Sequence, residues 1–218
     1  MSTRAETWPA GGIQPDWTLS VVPSTQDKSG RDVPLSELDD RRLVEVCLAG
    51  RVEAFDVIVE RHQRAVYQLC FRFVGRHEDA ADLTQDVFLR AFRGLRRFRG
   101  DAALATWLYR IGVNACLNQV SGRKLRETPL DDAPPIAAAG DDPASSLARA
   151  QEGARVRAAV ARLPRKQRAT LILRVYQDLS HREIALALGT TVGAVKANFF
   201  HALGNLKKLL AEEAIEKS

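Results

Sequence analysis

An all-α fold, with two small helical domains joined by a flexible linker, is predicted by three features of the sequence. Prolines cluster at the start and in the middle, apolar residues recur at spacings of three and four, and no stretch shows convincing strand-like alternation. Of nine prolines, four are Pro9, Pro15, Pro23 and Pro34. Four more are Pro129, Pro134, Pro135 and Pro143, and only Pro164 stands elsewhere. The long proline-free intervals between clusters are where helices can run. A chain of 218 residues has room for one domain or two small ones. Its 45% hydrophobic and 27% charged residues make a globular balance.

The map that follows is 1–34, 35–126, 127–152 and 153–214. The first segment reads as a disordered extension, although Trp8 and Trp17 are conceivable anchors for a partner. It lacks the apolar core of a secretory signal, and no run of about 18 apolar residues exists anywhere. A cytoplasmic protein without membrane insertion is expected. Leu35-Ser36 followed by Asp39 resembles a capped helix start. Leu43, Val46 and Cys47, then Phe55, Ile58 and Val59, then Val66, Leu69 and Cys70 keep helical spacing. Gly50, Gly75 and Gly100 are plausible breaks. Cys47, Cys70 and Cys116 are few and widely spaced, so they read as buried apolar side chains and not as a disulfide framework or metal site.

Residues 79–92 predict one helix with two apolar faces. Ala80, Leu83, Thr84, Val87 and Ala91 form the first; Phe88, Leu89 and Phe92 form the second, with Gln85 between. Such a helix is buried on two sides or awaits a partner. Acids Glu78, Asp79, Asp82 and Asp86 precede an abrupt change of sign. Between Asp86 and Glu127 there are nine bases and one acid, Asp101, with Phe88, Phe92, Phe98, Trp107 and Tyr109 interleaved. Cations neutralise phosphates and aromatic faces stack on unpaired bases, which points to single-stranded or melted nucleic acid. A bundle core with a solvated basic face has the same composition. Residues 127–152 are Pro/Ala-rich and acidic, as a solvated tether is.

In the last segment, Ala161-Arg162-Leu163-Pro164 reads as a helix end followed by a new start. Ser180 to Leu188 predicts a short amphipathic helix with Ser180 as cap and Glu183 completing a capping box. Gly189-Thr190-Thr191 turns the chain into a second helix. Val192, Val195, Phe199, Leu203 and Leu206 are expected inside; Ala194, Ala197, Asn198 and His201 outside; Lys196 and Phe200 at the margin. This is a helix-turn-helix, and the absence of acids between Glu183 and Glu212 suits a surface that meets DNA. A nuclease or deaminase is disfavoured: His62, His77, His181 and His201 are scattered, and no metal set or carboxylate cluster appears.

The joint order of several motifs resembles the extracytoplasmic-function (ECF) group of bacterial RNA polymerase sigma factors, from about Leu38 to Leu210. The motifs are Ala54-Phe55 with Tyr67, the run Asp82-Leu-Thr-Gln-Asp-Val-Phe88, and Phe98-Arg-Gly-Asp101 leading to Thr106–Ile111 and Asn114. Leu163-Pro164 to Leu173 and Leu179-Ser180 to Lys196 complete the order. The resemblance implies a non-enzymatic factor that binds core RNA polymerase, directs it to promoters with −10 and −35 elements and promotes melting, in a stress or envelope response. It implies polymerase contacts at Asp79, Asp82, Leu83, Gln85, Asp86, Phe88, Leu89 and Phe92. It implies −10 contacts at Arg96, Arg97, Arg99, Asp101, Thr106, Trp107, Arg110 and Asn114. For the −35 element it implies the helix-turn-helix at 181–200, with Thr191, Ala194, Lys196, Ala197, Asn198, Phe200 and His201. Core polymerase, promoter DNA and an anti-sigma factor are the implied partners; no cofactor, metal or small-molecule substrate is expected. The alternative is a stand-alone helix-turn-helix regulator, which would leave residues 79–122 without a purpose. The last helix is less basic than the family's, and Gly112-Val113 replaces a commoner Ala-Arg pair.

Overall fold

A computed structural model describes the backbone of residues 33–123 and 143–216. The N-terminal extension up to residue 32, and most of the acidic linker, lie outside the described residues. A single 3-10 turn, Leu35–Glu37, leads into α1 (Asp40–Leu48), α2 (Glu53–Val74), α3 (His77–Gly94) and, after a second such turn at Leu95–Arg97, α4 (Leu104–Arg123). Then come α5 (Pro143–Arg162), α6 (Arg165–Tyr176), α7 (His181–Leu188) and α8 (Val192–Glu216). No strand occurs among the described residues.

Local chemistry explains the boundaries. Asp39 caps α1 by accepting the Arg42 amide at 2.7 Å. Gly75, at φ +74°, ends α2 in the left-handed conformation that glycine adopts without a Cβ clash. Ser180 and Glu183 form the expected capping box: the Glu183 amide donates to Ser180 Oγ at 3.3 Å, and the Ser180 amide donates to Glu183 Oε2 at 2.8 Å. Pro164 precedes α6 at the capping position.

One boundary differs from expectation. The tether assigned to 127–152 is already helical from Pro143, the first residue of α5. Proline there has its φ set for a helix and lacks only an amide that would be unpaired anyway, and the Ala/Leu/Arg/Gln residues that follow are strong helix formers.

In the first region α2 is central, packing on α1, α3 and α4, and α3 also packs on α4. Leu43, Ile58, Leu69, Phe73, Val87 and Leu108 are sealed inside. Gly112 permits the closeness of α4: a Cβ there would stand 3.0 Å from Leu69 Cδ2. Cys47, Cys70 and Cys116 are free and buried. In the second region α8 receives α5, α6 and α7. The inward stripe of α8 is Val195 and Ala202, fully buried, flanked by half-buried Phe199, Leu206 and Leu209. Val192 and Leu203 were expected inside but are 39% and 46% exposed. The stripe steps by four, three, four and three residues, so Ala202 takes the inner position and Leu203 is rotated about 100° outward. The two regions also touch, α4 against α7 and α2 against α6, and their buried apolar residues form one continuous cluster.

Candidate polymerase and nucleic-acid surfaces

The acidic N-terminal half of α3 carries the first surface. Ala80, Leu83, Val87 and Ala91 are buried against the bundle, as their helical spacing predicts. Phe88 is buried as well, edge-on to Phe55 with ring centroids 6.4 Å apart. The expectation that Leu83 and Phe88 await an outside partner is therefore corrected: both are core residues. The partnerless face consists of Gln85, Leu89 and Phe92, with Leu89 52% and Phe92 46% exposed. Phe92 packs edge-on against Phe55, with ring centroids 5.0 Å apart, while nearly half of it stays open. Asp82 is exposed beside this face; Asp86 pairs with Arg90 at 2.7 Å, and Asp79 lies near Arg76 at 3.8 Å. Carboxylates on the turns that precede the exposed Leu89 and Phe92 suit a basic, partly apolar protein surface.

The second surface is a cavity of about 380 Å³ at the turn between α3 and α4. Arg97, Arg99 and Arg110 supply its charge, Phe98 and Trp107 its aromatic wall, and Asp101 and Thr106 its further polar groups, with Gly100 and Ala102 between. The Phe98 and Trp107 rings sit 5.4 Å apart, tilted by 55°. The Trp107 ring is seated over Gly94, 3.7 Å from the point where a Cβ there would lie, an ordinary van der Waals distance. Gly100, at φ +74°, turns the loop. The volume falls in the range of pockets that take small organic groups, and the lining pairs cations with flat apolar faces. Thr106 lines this cavity although only 2% exposed, so its contribution is to the wall. Asn114 and Arg96 are exposed and are not part of the lining. Tyr109 is buried, and burial pushes its phenol upward; it belongs to the core.

Phe98, Gly100, Ala102 and Leu186 join this cavity without having been singled out as contacts. Phe98 was legible as the aromatic flanking the loop opposite Trp107. Leu186 was not, because it comes from α7, 79 residues downstream of Trp107.

The third surface is the outer face of α8. Lys196, Ala197, Phe200 and His201 are exposed, Phe200 to 75%, and Ala194 and Asn198 are half-buried. Phe200 and His201 meet edge-on at 5.8 Å. Thr191 caps the helix by accepting the Ala194 amide at 3.2 Å, so its hydroxyl is committed locally as an acceptor. The first turns of α8 thus present small residues, one amide, one cation and one open aromatic ring, with no carboxylate between Glu183 and Glu212. Small residues permit close approach to base edges, and amide and apolar groups are the ones that read adenine and the thymine methyl.

The chain matches two protein-family models, Sigma-70 region 2 over residues 58–126 and Sigma-70 region 4 over residues 153–206. It is 34% identical over 185 residues to the RNA polymerase sigma-H factor of Pseudomonas aeruginosa, covering 81% of this chain and 96% of that protein. It is 37% identical over 175 residues to the ECF RNA polymerase sigma factor SigM of Mycobacterium tuberculosis, covering 80% and 86%. Among solved structures it resembles CnrH in complex with the cytosolic domain of CnrY, with a TM-score of 0.61 and 28% identity over 79% of this chain and 97% of that one. The boundary between the two matched models falls where the acid-rich segment lies. The chain therefore belongs to the ECF group of RNA polymerase sigma factors, the promoter-directing subunits of the bacterial enzyme.

Proposed function

We propose that the three surfaces divide the work of promoter engagement. The Gln85–Leu89–Phe92 face of α3, with Asp82 and Asp86, docks on core polymerase. The Arg97–Trp107 cavity takes a base freed from the −10 element, with Arg96 and Asn114 on the path of the displaced strand. The α8 face, from Thr191 to His201, reads the −35 duplex. On this reading residues 35–126 are the polymerase-binding and melting unit, 127–152 the connector and 153–214 the duplex reader. The chain contributes binding energy and base selection, and polymerase carries out nucleotidyl transfer.

The observation that carries this reading is the sorting of charge around exposed apolar groups. Leu89 lies one turn after Asp86 on a helix whose earlier turns carry Glu78, Asp79 and Asp82, whereas Trp107 lines a cavity with three arginines and Phe200 lies in an acid-free stretch. A face meant for phosphates carries an excess of cations, as Arg97, Arg99 and Arg110 outnumber Asp101; one meant for a basic protein surface gathers acids. A stand-alone regulator has no use for the first two surfaces. An inhibitory anti-sigma partner belongs to the same reading, in keeping with the partner-bound state of CnrH.

The test is run-off transcription with purified core polymerase on a promoter found by mapping transcript starts after overexpression. Transcripts from that start only when the chain is present are expected. Tight promoter binding by the chain alone, with no transcript on adding polymerase, would instead make it a stand-alone regulator.

A further inference from the structure

We propose that Cys70 on α2 and Cys116 on α4 form a modification site, a dithiol that hydrogen peroxide converts to a reversible disulfide stapling the first helical region.

All three cysteines are free and buried, but only these two meet. The Cys116 S–H donates to the Cys70 sulfur, and Thr84 of α3 adds a second hydrogen bond to it. Helices α2, α3 and α4 therefore converge on one sulfur. Packed helices lie about 8–10 Å apart, and a disulfide needs its two Cβ atoms about 4 Å apart. A small residue at the crossing favours that approach, and Gly112 is such a residue. It lies one turn before Cys116, and a Cβ on it would stand 3.0 Å from Cδ2 of Leu69, the residue before Cys70.

The pair is also divided in role. The hydrogen bond from Cys116, helped by Thr84, holds the Cys70 thiol below its ordinary pKa against the burial that would raise it. Cys116, the donor and itself buried, is pushed up. Cys70 is thus the attacking thiol and Cys116 the resolving one. Cys47 is the contrast: burial, then Asp56 and Glu53, raise its thiol, and no second cysteine acts on it.

The chemistry balances with one peroxide. The Cys70 sulfur attacks a peroxide oxygen, the O–O bond breaks, and the other oxygen leaves as water with the Cys70 proton. Cys70 is then a sulfenic acid. The Cys116 sulfur attacks the sulfenic sulfur; the S–S bond forms, the S–O bond breaks, and a second water leaves with the Cys116 proton. Two thiols have lost two electrons and two protons, and the peroxide has been reduced to two waters. Neither sulfur meets bulk solvent, so a small uncharged oxidant is required, reaching them through local opening. The new bond closes a loop that holds all of α3 and the cavity residues from Arg97 to Arg110. Closing it restricts the unfolded chain and makes this region harder to unfold.

The purified full chain is treated with hydrogen peroxide, quenched with catalase and unfolded in iodoacetamide. Before alkylation the monomer should lose about 2 Da, the mass of two hydrogens. A non-reducing digest should join the Cys70 and Cys116 peptides and show Cys47 alkylated. Dithiothreitol should restore the mass, and the oxidised chain should have the higher thermal midpoint. Cys47→Ala should keep the link. Cys116→Ala should abolish it and leave Cys70 as a sulfenic acid that dimedone captures, with circular dichroism unchanged. The digest of the unmodified chain decides the pairing whether or not either variant folds. Unchanged mass with all three cysteines alkylated would overturn the proposal. So would a link through Cys47, a disulfide between two chains, or a lower thermal midpoint after oxidation.

Discussion

Two exposed aromatic rings, Phe92 on α3 and Phe200 on α8, look alike by exposure alone, at 46% and 75%. Their surroundings set them apart. Phe92 lies late in a helix whose first turns carry Glu78, Asp79, Asp82 and Asp86, and it is braced edge-on by Phe55. Phe200 has Lys196 and His201 as neighbours, no acid for many residues on either side, and no bracing beyond the His201 ring. The lesson is that an open apolar group does not name its partner; the sign of the charge around it does. A braced ring on a helix with acidic first turns suits a basic protein face, and an open ring beside a lysine in an acid-free stretch suits DNA.

The comparison breaks most sharply within α3 itself. Phe88→Ala removes a packed core ring and is expected to destabilise the fold by about 3–5 kcal/mol, seen as a large drop in thermal midpoint. The paired change Leu89→Ser with Phe92→Ser should lower the midpoint much less than Phe88→Ala, through the lost Phe55 contact alone, and weaken core-polymerase binding by about 100-fold, as loss of two interface anchors does. If the paired change leaves polymerase binding intact, the α3 face is misassigned. In the second region, Asn198→Ala and Phe200→Ala are each expected to cost about 1–3 kcal/mol of discrimination among −35 sequences, read from competition binding by holoenzyme. Neither should alter polymerase affinity. Lys196→Ala is expected to weaken all duplexes alike and lower the salt dependence by about one counterion.

The smallest effect belongs to the α7 cap. Ser180→Ala should cost about 1 kcal/mol of stability. Hydrogen bonds from the Ser180 side chain and then its backbone hold the Glu183 carboxyl below the ordinary 4.5. A carboxyl lowered in the folded state stabilises it at pH above 4.5, and that stabilisation disappears as the pH falls through the lowered value. Thermal midpoints of the parent and Glu183→Gln should therefore differ at pH 7 and converge in acid.

Much of this was legible in the sequence because it is local. Asp39, Gly75, Ser180 with Glu183, and Gly189 write their caps and turns into adjacent residues, and the arginines around Phe98 and Trp107 announce a charged aromatic site. What stayed hidden is set by register and by distant packing. Residues 88 and 89 differ by about 100° on the helical wheel, and only the position of Phe55 on α2 decides that Phe88 turns in and Leu89 out. Ala202 displaces Leu203 from the α8 stripe for a similar reason. Arg168 sits in Arg-Lys-Gln-Arg, a run that reads as solvated, and its burial depends on the end of α2, 95 residues away. The start of α5 at Pro143 was masked by the composition of the acidic segment before it.

The central claim is that the first region opens DNA while the second reads it closed. A promoter carrying 2-aminopurine in its −10 element measures opening as a rise in fluorescence when holoenzyme is mixed in. The account predicts a rise with the unmodified chain, and a strongly reduced rise with Trp107→Ala, since one base–aromatic stack is worth about 1–3 kcal/mol. It predicts that Phe200→Ala merely raises the holoenzyme concentration required. Full opening by Trp107→Ala at every holoenzyme concentration would contradict it.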